Sequence, residues 1–139
     1  MQPKRLAIVV SHPIQHFVSL YRALAAHDAI DLHVLFGAPI GVKPYLDVEM
    51  NCEITWNMDM LGGYSHEFLD PTEGLRVTFR TINSPRVAPR LTAARPDAVL
   101  VYGYSQGNAL RAIHWGWRNK VPVLLISDSE QLKKRSGWK

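Results

Sequence analysis

At 139 residues, with 47% hydrophobic and 20% charged side chains, the chain has the makeup of one soluble globular domain with a real core. Its net charge of +4 suits an anionic partner, but no recognition motif for nucleic acid accompanies it and none is expected as a partner. Cys52 is alone, so no internal disulfide can form, and no apolar run makes a signal peptide or the roughly 18–20 residues of a membrane span; the expected location is the cytoplasm.

"RLAIVV" at residues 5–10 is a continuous apolar run of strand length, as in a strand covered on both faces. Phe17, Leu20, Tyr21 and Leu24 then recur at helical spacing, which predicts a helix over 14–27 with Pro13 suited to its first turn. "IDLHVLFG" gives a second strand, completing a βαβ unit whose crossover should be right-handed.

The middle, residues 38–84, is harder to read. "APIGVKPYLD" is loop-like, "EITWNM" and "HEFL" suit short strands, and Gly62 and Gly63 suit a turn between them. "RVTFRTI" is strand-like, although its polarity also allows a loop. "SPRVAPRLTAARPD" suits a short helix, with Ser84 as N-cap and Pro85 first inside.

Order returns in the last third. "DAVLVYG" predicts a buried strand, "QGNALRAIHWGWRNK" a helix with an apolar face through Leu110, Ile113 and Trp117, and "VPVLLIS" a further strand. Strands alternating with helices predict an α/β, Rossmann-like three-layer sandwich with a mainly parallel sheet, in one domain over residues 1–139.

In such sheets ligands gather at the carboxyl ends of the strands, near the point where strand order reverses. Three polar clusters fall at predicted strand ends: "SHPIQH", "YGYSQGN" and "SDSE". The first turn holds no glycine, so it lacks the G-x-G-x-x-G of a dinucleotide site, and no phosphate-binding P-loop occurs anywhere. His12, Gln15 and His16 instead offer hydrogen bonds to a polar ligand and a proton that moves near neutral pH. The alternative is that they pack and cap the helix. Two imidazoles without a third ligand make a poor zinc site, and no metal is expected. His27, His33, His66 and His114 suit structural or surface roles. Trp56 and Tyr64 suit packing better than stacking on a sugar, and Trp115 and Trp117 suit packing as well.

Taken in order, "SHPIQHFVSLYRALA", "LHVLFG", "ITWNMDMLGGYSHEFL" and "PDAVLVYGYSQGNALRAIHWGWRNKVPVLLISDSE" resemble the N-terminal half of a retaining glycosyltransferase of family 4 with the GT-B fold. The resemblance implies an N-terminal fragment of a two-domain enzyme that moves a sugar from a nucleotide-sugar donor to a hydroxyl acceptor. This half would hold the acceptor; the donor would sit on a C-terminal domain, leaving this fragment inactive alone and without a cofactor of its own. Many members carry a histidine after the strand matching "DAVLVYG", where this chain has Tyr104, Ser105 and Gln106, so that role cannot be carried over.

The expected acceptor-side residues are therefore His12, Gln15, His16, Tyr104, Ser105 and Gln106, with His16 as the candidate catalytic imidazole. Ser127 and Asp128 should face the cleft from the last strand. The basic tail "KKRSGWK" would suit peripheral contact of the parent enzyme with an anionic membrane. Two other readings stay open: a non-catalytic module binding carbohydrate or protein, and a nucleotide-sugar epimerase of the same fold.

Overall fold

The structure, a computed structural model, describes residues 2–42, 45–47, 50–54 and 58–127. Strands β1 (Lys4–Val10), β2 (Ile30–Phe36), β5 (Ser65–Phe68), β6 (Ala98–Tyr102) and β7 (Val123–Ile126) form one sheet in the order β5-β2-β1-β6-β7. Every pairing in it is parallel. Between β2 and β5 lies a separate antiparallel pair, β3 (Tyr45–Asp47) with β4 (Cys52–Ile54). The α/β sandwich expected from the alternating pattern is the observed fold.

Period-two alternation divides β1 between two cores. Ala7 and Val9 point to one face, where α2 (Val87–Ala94) and α3 (Gly107–Asn119) pack through Val87, Leu91, Ala109, Ala112 and Trp115. Ile8 and Val10 point to the other, where α1 (Gln15–Ala25) contributes Val18 and Tyr21 and the segment before β5 contributes Met60 and Tyr64. Both sets are almost wholly buried, which is why "LAIVV" is apolar without interruption. Trp115 Nε1 donates to Thr92 Oγ1 at 3.0 Å, tying α2 to α3.

Several elements differ from the sequence expectation. The helix predicted over 14–27 spans Gln15–Ala25, because Ile14 is extended (φ −119°) and serves as N-cap; Pro13 stands outside it. "RVTFRTI" is a turn: Thr78 and Thr81 exchange side-chain and backbone hydrogen bonds, the local alternative to a strand ladder that threonine hydroxyls supply. Ile82 N–H donates to the Thr78 carbonyl at 3.1 Å, and the Ile82 side chain is buried.

Ser84 acts one step ahead of the helix it was expected to cap. Its Oγ accepts from Arg86 N–H at 3.2 Å, and α2 starts at Val87 with Arg86 as N-cap. Pro89 falls in the first turn, where a missing N–H costs no helical bond. The apolar face assigned to α3 was also out of phase. Leu110 and Trp117 are exposed, and the helix buries Asn108, Ala109, Ala112, Trp115 and Gly116 instead. "EITWNM" is a strand only as far as Ile54 among the described residues, and Trp56 lies outside them.

Gly63 has φ +93° and Asp59 Oδ1 accepts from Leu61 and Gly62 N–H, so the glycine pair does make a turn. Tyr64 is buried, with its hydroxyl donating to the Met60 carbonyl at 2.5 Å; it packs rather than stacks on a ligand.

Candidate functional site

Strand order reverses between β1 and β6: the chain leaves β1 toward β2 on one side and β6 toward β7 on the other. Val9 pairs with Val101, so the loops that follow, 11–14 and 103–106, emerge side by side. A crevice at that place is where open parallel sheets bind ligands. The end of β7 flanks it, because Gly103 N–H donates to the Ile126 carbonyl at 2.7 Å. With strands spaced about 4.8 Å apart, β7 ends roughly 10 Å from β1. Gly103 takes φ +65°, a conformation that L side chains rarely adopt, as β6 turns toward α3.

The loop after β1 is pinned from beneath. Gly37 N–H donates to the Val10 carbonyl at 2.9 Å and Ala38 N–H to the Ser11 carbonyl at 3.0 Å. The Ser11 hydroxyl and His12 Nδ1 lie 2.8 Å apart. Burial holds the His12 imidazole below its ordinary titration range, because a charged ring would lose its water. His12 is therefore neutral at pH 7, with Ser11 fixing one ring nitrogen and Nε2 left for a ligand. Where Ser11 donates, Nε2 carries the proton and donates; in the other tautomer it accepts.

Gln15 and His16 open α1 and both are exposed, with the His16 ring 4.2 Å from that of Phe17. No side chain caps α1: its N-cap is Ile14, whose carbonyl accepts from Phe17 N–H at 3.0 Å, which leaves the Gln15 and His16 amides without a helical partner at the end nearest His12. The start of α3 is different. Its Gly107 and Asn108 amides donate to the carbonyls of Phe79 and Ile82, at 3.2 and 2.9 Å, and are used up within the protein. Of the residues ahead of α3, Gln106 is its half-buried N-cap, while Tyr104 and Ser105 are exposed. Ser127 is exposed just past β7, and Asp128 lies outside the described residues.

The structure thus brings His12, Gln15 and His16 onto one loop and helix start, beside the 104–106 loop. It separates their characters: His12 is half-buried and fixed, whereas His16 stands in solvent. The remaining imidazoles are elsewhere. His33, for example, bridges Ser65 Oγ at 2.7 Å and Glu67 Oε1 at 3.1 Å on the sheet.

Two site-supporting residues escaped the sequence reading. Ser11 orients His12. Asn108, only 2% exposed, accepts from Ser84 N–H at 2.6 Å through Oδ1, while its Nδ2 has no hydrogen-bond partner. That Nδ2 sits over Gly37, 3.1 Å from where a Cβ there would be. The signal for Asn108 was present: it is in helical phase with Ala112 and Trp115, so a correctly phased α3 has a polar residue on its buried face.

Among the described residues no group of three or more His, Cys, Asp or Glu could hold a metal ion, and no helix is long and apolar enough to cross a membrane. No family model, no curated protein and no solved structure matches the chain.

Proposed function

We propose that the chain is the acceptor-binding domain of a cytoplasmic glycosyltransferase that moves a sugar from a nucleotide-sugar donor to a hydroxyl acceptor, with the donor held on a separate domain. The observation that carries the reading is the Ser11–His12 pair at the β1–β6 switch point: a neutral imidazole, fixed at Nδ1, just ahead of a helix start that no side chain caps. Such a group suits a polar hydroxyl ligand, donating to or accepting from it. The glycine-free first turn argues against a dinucleotide diphosphate lying there.

Transfer would draw on both domains. His12 and the 104–106 loop orient the acceptor hydroxyl; the groups that stabilise the leaving diphosphate belong to the donor side. Positioning is then this domain's contribution to rate. A non-catalytic carbohydrate-binding module is the second reading, favoured by the absence of any carboxylate from residues 11–16 and 103–107.

Titrating nucleotide sugars and a panel of mono- and oligosaccharides into the labelled chain tests the assignment. Saccharides should shift the amide signals of His12, Gln15 and Gln106, and nucleotide sugars should not. Tight nucleotide-sugar binding at these residues, or no response to any saccharide, would remove the acceptor assignment. Transfer activity in the longer parent enzyme separates the enzyme from the binding module.

A further inference from the structure

The outward face of α3 carries chemistry that the cleft does not use. At 3.6 residues per turn, Leu110, Arg111, His114, Trp117 and Arg118 fall on one side, opposite the Asn108–Ala112–Trp115 side packed on the sheet. Trp117 is 77% exposed and Leu110 44%. The His114 ring lies 6.0 Å from that of Trp117. No acidic residue occurs in α3.

The 76–80 segment extends this face. Phe79 accepts the Gly107 N–H, and Arg111 Nε donates to Asn83 Oδ1 at 2.5 Å, so the segment abuts the first turn of α3. Phe79 is 48% exposed and Val77 is exposed too, each beside an arginine in "RVTFR". From residue 75 to 127 the sequence has eight Lys and Arg and one acid, Asp97. Asp97 is engaged at the opposite end of the sheet, where its carboxylate accepts the Arg5 N–H at 2.9 Å.

We propose that this face, the outer side of α3 with the 76–80 segment, seats the protein on an anionic bilayer surface. Trp117, Leu110 and Phe79 enter the boundary between headgroups and acyl chains, and the arginines meet lipid phosphates. Large apolar side chains set among basic ones, with no acid between them, is the composition of an interfacial helix. Nucleic acid would engage the same arginines but gain little from Leu110. The surface assignment does not depend on what the cleft binds.

Co-sedimentation of the full chain with vesicles of phosphatidylcholine, with and without phosphatidylglycerol, tests it. Binding should require phosphatidylglycerol and weaken as salt rises. Leu110→Ser with Trp117→Ser should lower partitioning about tenfold or more, and Arg111→Gln with Arg118→Gln about fivefold per arginine. The Leu110/Trp117 variant should unfold at the wild-type temperature, since both side chains are exposed; the arginine variant also loses the Arg111–Asn83 bond and should melt slightly lower. Failure of the wild-type chain to bind anionic vesicles at low salt overturns the proposal, as does unaltered binding by the Leu110/Trp117 variant. A DNA duplex that binds as tightly as the vesicles, with no response to Trp117→Ser, would assign the face to nucleic acid instead.

Discussion

Arg90 of α2 holds Glu67 of β5 in a two-pronged grip, with Nη2–Oε2 at 2.7 Å and Nε–Oε1 at 3.0 Å, while His33 of β2 approaches the same carboxylate at 3.1 Å. One side chain thereby links two strands and a helix. Burial works to raise the Glu67 carboxyl, but the bonds from Arg90 and His33 outweigh it and hold the group below the usual carboxylate range. A carboxyl depressed in the folded state contributes stability above its unfolded pKa, and that stability is lost as pH falls through the folded value. Glu67→Gln should therefore flatten part of the acid limb of a stability–pH curve measured by urea unfolding. At neutral pH the midpoint should fall only slightly, because solvent screens a partly open pair. An acid limb identical to wild type would dismiss the link.

Gly37 is where fold and site meet. A methyl there would lie 2.7 Å from Ile82 Cγ2 and 2.8 Å from the Ser11 carbonyl oxygen, closer than real Cβ atoms come. Gly37→Ala should cost about 1–3 kcal/mol in chemical denaturation, the usual penalty for overpacking. It should also shift the His12 ring signals, since Ser11 has to move. A wild-type midpoint would mean that the β1 and β2 ends separate easily.

Beneath α1, Tyr21 is fully buried, its ring 5.4 Å from Tyr64 and 6.4 Å from Phe36. Its hydroxyl and that of Tyr102 interact without closing a hydrogen bond of good geometry, and burial raises both phenols above their ordinary range. Tyr21→Phe should be neutral or stabilising by up to about 1 kcal/mol, while Tyr21→Ala should cost about 3–5 kcal/mol. A loss above about 1 kcal/mol for the phenylalanine variant would show that the two hydroxyls do bond.

Asn108→Ala removes the acceptor of the Ser84 amide and should destabilise the chain by about 1–3 kcal/mol. Hydrogen exchange locates the effect: the Ser84 amide should exchange faster in the variant. Unchanged exchange there would show that another group holds the segment.

These relationships mark how far the sequence could be read. Strands with both faces buried advertise themselves, and so β1, β2 and β6 were legible from apolar runs alone; β7 reads the same way, although Leu124, Leu125 and Ile126 are exposed at the edge of the sheet. The polar loops that follow them could be ranked as cleft candidates from chain order. Side-by-side placement of β1 and β6 could not, because the register Val9–Val101 joins residues far apart in the chain. Residues 76–82 read as either strand or loop because threonine and valine suit strands, while the Thr78–Thr81 bonds that decide the turn are local and polar. In α3, bulky Leu110 and Trp117 suggested the buried side, but small residues at 109, 112 and 116 let the helix approach the sheet. That phase error hid Asn108 and, on the opposite side, the exposed Trp117.

The sequence singles out His16 as the candidate catalytic imidazole, whereas the structure fixes His12 and leaves His16 exposed, which gives the last prediction its form. His12 is half-buried, paired with Ser11, and held below the ordinary imidazole range, whereas His16 is exposed. Ring-proton NMR titration of the chain should find the His12 transition below that of a free imidazole. Because its folded value is depressed, the neutral ring contributes stability above the unfolded pKa, and this is lost as pH falls through the folded one. In the longer enzyme, a proton-transfer role for His12 predicts a fall in turnover of roughly 10²–10⁴ for His12→Gln, smaller if the ring only binds. His16→Ala should then cost less, chiefly through KM, as expected of an exposed contact. The reverse ranking would return the catalytic role to His16. Unchanged kinetics in both folded variants would leave the pair as structural residues at the mouth of the cleft.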